Sequence, residues 1–122
     1  MTIEKIVRSG VTVAAVTASE KVITDPQSAL DLIMTVKYDA GTKNIVLDKG
    51  VVAEEFFILS SGLAGEILQK FVNYGVRCAS YGDYSRYTSK PLRDFIYESN
   101  KGKDVFFTAT KEEAVELLTT RG

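Results

Sequence analysis

From Asn44 onward, short apolar runs of strand length alternate with segments whose apolar residues recur at helical spacing. This alternation constrains the fold more than any other feature of the chain. The runs are Asn44 to Leu47, Val76 to Tyr81 and Asp104 to Thr108. Between and after them, Leu63, Ile67, Leu68, Phe71 and Val72 mark one helical face, Leu92, Phe95 and Ile96 a second, and Ala114, Val115, Leu117 and Leu118 a third. A helix between two strands carries the chain back to its starting edge, so consecutive strands run parallel through right-handed connections. Asn44 to Leu47 also lacks polar alternation, as expected of a central strand covered on both faces.

The N-terminal segment follows a different pattern. Ile3 to Val7 and Val11 to Thr17 are β-rich runs divided by Ser9-Gly10, a pair that reverses the chain tightly and predicts a hairpin. Asp25-Pro26 predicts a helix start, with Leu30, Ile33 and Met34 facing inward and Gly41 as the stop. Ser89 and Pro91 open the helix from about Lys90 to Asn100, Gly102 ends it, and Thr110 with Glu113 reads as a capping box for the last helix. Val51 to Leu59 fits a helical turn or a buried extended piece equally well and stays unassigned. The expected order is ββαβαβαβα: a single α/β domain over residues 1–122, with a mostly parallel central sheet and the first strand as an antiparallel partner.

A chain of 122 residues supports one core and not two. Its formal charge of −1 supplies no field to hold a nucleic-acid backbone or an anionic membrane, so neither is an expected partner. The longest apolar runs are too short to span a bilayer, and the opening Met-Thr-Ile-Glu-Lys lacks the apolar stretch of a signal peptide; a cytoplasmic location is expected. The lone Cys78 lies in an apolar run and reads as core. No histidine is present, which removes the Ser-His and Cys-His nucleophile pairs and the usual zinc sites. No catalytic residue, metal or cofactor is therefore expected.

Three groups of residues could carry function. Asp48 and Asp83, with Thr108, fall at the carboxyl ends of the strands, where open α/β sheets gather ligands, although an Asp before Gly or Lys is also ordinary turn chemistry. Ser60, Ser61, Gly62 and Gly65 open a helix: free N–H groups there suit an anion, yet the Lys-Ser/Thr of a nucleotide loop is missing, and Gly62, Ala64 and Gly65 would equally let the helix lie close on the sheet. The stretch from Tyr84 to Arg93 interleaves Tyr84 and Tyr87 with Arg86, Lys90 and Arg93, a composition suited to protein interfaces, while Asp94 and Glu98 provide local partners for a purely solvated version.

Two stretches, GLAGEILQKFVNY from Gly62 to Tyr74 and YTSKPLRDFIYESNKG from Tyr87 to Gly102, resemble the signature of a small bacterial family catalogued as a domain of unknown function. That resemblance implies no activity. The order of elements and the run from Phe57 to Leu63 are also similar, more distantly, to the domain shared by sulfate transporters and anti-sigma-factor antagonists (the STAS domain). The resemblance implies a phosphorylation switch at Ser60, although Leu59 stands where that family has aspartate. A phosphate there would add nearly two negative charges at a helix start; Ser60 also suits a plain N-cap.

The expected function is a non-enzymatic protein-interaction module, anti-sigma-antagonist-like, with an unidentified protein partner. Its surface would combine Ser61, Gly62 and Gly65 with Tyr84, Arg86, Tyr87, Lys90 and Arg93. The alternative is a small-ligand sensor or enzyme around Asp48 and Asp83, for which a closed polar cavity joining the two would speak. A homodimer through the first strand or an exposed helix is the third option.

Overall fold

In the computed structural model, which describes residues 1–120, Ser9 and Gly10 both take positive φ, 55° and 77°. A two-residue hairpin turn needs that backbone. It folds β1 (Thr2–Arg8) against β2 (Val11–Thr17), antiparallel, with Arg8 opposite Val11. α1 (Pro26–Ala40) starts at a reciprocal cap: Asp25 Oδ1 accepts the Ser28 N–H at 2.7 Å, and Ser28 Oγ accepts the Asp25 N–H at 3.0 Å. There follow β3 (Asn44–Asp48), α2 (Leu63–Asn73), β4 (Arg77–Tyr81), α3 (Lys90–Lys101), β5 (Val105–Thr108) and α4 (Lys111–Thr120). The sheet order is β1-β2-β3-β4-β5, parallel from β2 onward, so the sheet is mixed and the expected order of elements holds.

Register sorts the side chains onto the two faces of the sheet. Ala15, Val46, Ala79 and Phe106 lie side by side across β2 to β5 and face α4. The neighbouring row, Val16, Leu47, Ser80 and Phe107, faces α1, α2 and α3. At the outer edge, Asn100 Oδ1 accepts the Phe107 N–H at 2.7 Å and its Nδ2 donates to the Phe107 carbonyl at 3.1 Å. A side-chain amide thus stands where a further strand would pair.

The inward face of α1 differs from expectation. Ala29, Leu32, Ile33, Val36 and Ala40 are buried, whereas Leu30 is half-buried and Met34 is 40% exposed. At 100° per residue the buried five form one stripe, and Leu30 and Met34 fall on its flank. Val72, assigned to the inner face of α2, is likewise 54% exposed. The unassigned segment forms short 3₁₀ turns at Lys49–Val51, Glu54–Phe57 and Leu59–Ser61. It is tied down by a parallel bridge between Ile23 and Val52 and by burial of Phe56 and Phe57.

Cys78 is buried in β4, as expected, and burial pushes its thiol up to about 12. Above about pH 9 the unfolded chain ionises this thiol and the folded chain does not, so the unfolded state binds fewer protons and stability falls as pH rises, by roughly 1.4 kcal/mol per unit. Urea unfolding at pH 8 and pH 10 should differ by roughly 1–2 kcal/mol more in the native sequence than in Cys78→Ala. Rapid reaction of the folded protein with a thiol reagent at pH 8 would contradict this placement.

Candidate functional site

The carboxyl ends of β3 and β4 assemble around Lys49. Asp48 Oδ1 accepts the Gly50 N–H at 2.7 Å, and this turn aims the Lys49 side chain across Gly82. Its Nζ lies 5.0 Å from the Tyr87 ring centroid, 5.2 Å from Phe57 and 5.9 Å from Tyr84. Three π-faces around one ammonium form a cation cage, which the chain fills with its own residue. The rings also hold one another: Phe57 and Tyr87 stack at 5.3 Å, and Tyr84 meets Phe107 edge-on at 5.5 Å. The Tyr84 hydroxyl lies 2.6 Å from Ser80 Oγ, and burial raises its pKa.

Glu54 closes the cluster. Tyr87 donates to its Oε2 at 2.6 Å, Arg86 Nη2 to its Oε1 at 2.6 Å, and Lys49 Nζ lies 3.5 Å from the same oxygen. The Tyr87 hydroxyl foremost, with the Lys49 and Arg86 cations, holds the Glu54 carboxyl below the usual range against an opposing effect of partial burial. Glu54 and Arg86 are both largely exposed, so their ion pair adds little stability by itself. Its consequence is geometric: the 3₁₀ segment before α2 is tied to the β4–α3 loop. Together they form an open cleft of about 370 Å³ lined by Glu54, Phe57, Ile58, Arg86 and Tyr87, with Ile58 56% exposed.

The sequence candidates distribute unevenly around this cleft. Tyr84, Arg86 and Tyr87 belong to the cluster. Lys90 instead pairs with Asp94 at 2.6 Å on α3, and Arg93 is exposed on the same helix. Ser60 is exposed in the 3₁₀ turn and does not cap α2; the N-cap is Gly62 (φ 78°), because that turn absorbs the serine pair and delays the helix. Ser61 Oγ accepts the Leu63 N–H at 3.2 Å and donates to the Glu55 carbonyl at 3.1 Å. Gly65 is exposed, and a Cβ there would meet nothing within 4 Å, so its smallness does not serve close packing on the sheet.

Asp48 and Asp83 are each occupied by their own turns. Ser85 donates to Asp83 Oδ1 through its hydroxyl at 2.5 Å and its N–H at 2.9 Å, and these bonds hold that carboxyl below its usual range. Asp83 and Thr108 share an open cleft of about 520 Å³ that Asp48 does not line. Strand order runs 1-2-3-4-5 without reversal, so the sheet lacks the switch point at which such folds open a ligand crevice. No group of three or more potential metal ligands occurs among the described residues, and no described helix is long and apolar enough to cross a membrane.

Nothing in the sequence assigns a binding role to Lys49 or Glu54, and Phe57 and Ile58 enter it only as part of the run that resembles the STAS domain. One signal for Glu54 exists: a segment bearing Arg86, Lys90 and Arg93 calls for a nearby acid, and Glu54-Glu55 is the acidic pair in the unassigned segment. No curated protein and no solved structure matches this chain. Residues 8–118, which include the cage, the 3₁₀ turns and both signature stretches, match the family described as Domain of unknown function (DUF4180), and the chain belongs to that family.

Proposed function

We propose that this chain is a non-enzymatic protein-interaction module of the bacterial cytoplasm, docking its partner on the rim formed by Ile58, Arg86 and Tyr87. One observation carries the reading: Glu54 joins Arg86 and Tyr87 across more than thirty residues of sequence, so two surface loops are ordered before any partner arrives. Pre-ordering removes part of the entropy cost of association. Arginine and tyrosine beside an exposed aliphatic side chain are the residues that dominate interface energetics. The STAS-like aspect of the proposal concerns Ser60, whose exposed position beside this rim would let a phosphate change its charge.

The test is cross-linking and recovery from the native host with the unaltered chain, Ile58→Asp, Arg86→Glu and a Lys5→Glu control. A partner recovered with the native and control chains should be lost from both rim variants, each by about 2 kcal/mol or more, some 30-fold in Kd. Equal recovery by all four chains would refute the rim, and so would the absence of any partner or self-association.

A further inference from the structure

The amino ends of β3 and β4 carry a second surface, sharing no residue with the rim. α1 and α2 reach their carboxyl ends there, and between them lies a groove of about 430 Å³. Met34, Val72 and Tyr74 line it while 40%, 54% and 41% exposed. Tyr38, one helical turn beyond Met34, is 91% exposed. Isolated exposed apolar residues need no explanation, but adjoining ones on a solvent-open groove mark contact sites. Met34 and Val72 flank the buried stripes of their helices, and the chain's own core leaves both uncovered.

Charge selects the occupant. Lys37 and Lys43 line the groove, and among the described residues no carboxylate does. Neither lysine forms an ion pair with a described residue. Lys37 also faces the carbonyl end of α1, where a cation offsets the helix dipole; Lys43 lies beyond the Gly41 cap, so that role does not account for it. A twofold contact between copies would set these lysines against their own counterparts, which disfavours self-association here.

We propose that this groove docks an acidic, amphipathic helical segment of a partner protein, its apolar face on Met34, Val72 and Tyr74 and its carboxylates at Lys37 and Lys43. Helix-in-groove recognition uses this combination of a hydrophobic floor and charged margins.

Fluorescence anisotropy tests it with a labelled peptide of about four helical turns, leucines on one face and glutamates on the other, against a version with lysine for glutamate. The glutamate peptide should bind at least about tenfold more tightly and lose affinity as salt rises. Lys37→Glu/Lys43→Glu should invert the preference, Val72→Glu should abolish binding, and the rim variant Arg86→Glu should change nothing. The proposal is overturned by equal binding of both peptides, by no binding of either, or by a preference that charge reversal leaves unmoved. Stronger binding to phosphatidylserine vesicles than to peptide would assign the groove to a membrane surface, and self-association abolished by Val72→Glu would assign it to a second copy; either result overturns the proposal.

Discussion

Phe106→Ala should lower the unfolding free energy by about 3–5 kcal/mol, toward the upper part of the range for a buried aromatic. The ring is fully buried between the sheet and α4, among Val13, Ala15, Val46, Ala79, Ala114, Val115 and Leu118. Those neighbours are short and have few rotamers, and four of the positions belong to a hydrogen-bonded sheet that cannot close inward. The space left by the ring therefore stays open and its contacts are lost outright. The Arg77 guanidinium, 6.0 Å from the ring centroid, loses a partner as well. Urea denaturation measures the loss, and hydrogen exchange locates it: amides of α4 should open before those of α1. A cost below about 1 kcal/mol would mean that α4 is not seated on this ring.

Gly82→Ala should cost about 2–4 kcal/mol and also dismantle the rim. A Cβ at this position would stand 2.6 Å from Lys49 Cβ and 3.1 Å from its Cδ, at a φ of +157° that side chains rarely adopt. Lys49 Cβ is anchored by the Asp48 to Gly50 turn, so moving the tip of the side chain does not relieve the contact. Either β4 shifts or the lysine leaves its cage, and in both cases Tyr87 loses the arrangement that holds Glu54. Near-ultraviolet circular dichroism should report altered tyrosine packing, and any partner of the rim should bind more weakly. In a Lys49→Gly background the clash disappears, so the same alanine should cost at least about 1 kcal/mol less. Equal costs in the two backgrounds would rule out this contact as the cause.

Local chemistry made most of the fold readable in the residues. Ser9-Gly10 can reverse two β-rich runs only as a tight turn, Asp25-Pro26 and Ser89 carry their helix starts within four residues, and the strand–helix alternation determines a parallel sheet. The coverage of the helices was not readable in this way. The spacing of Met34 and Val72 specifies a helix and its apolar side, but both fall on the flank of the buried stripe, where coverage depends on which element packs alongside. The candidate site divides along the same line. Tyr84, Arg86 and Tyr87 stood out as one segment, whereas Lys49 and Glu54 acquire their roles only when β3 and β4 align, Glu54 lying 32 residues from Arg86. Asp48 and Asp83 fulfil the bland reading of their surroundings, each bonded to a backbone N–H two residues on.

The amide of Asn100 occupies the N–H and the carbonyl of Phe107, so a strand arriving at the β5 margin would have to displace a side chain before it could pair there. The opposite margin of the sheet is β1, which carries no such side-chain amide among the described residues. Copies meeting there would make a ten-stranded sheet ending in β5 on each side, where the Asn100 amide stands against further edge-to-edge growth.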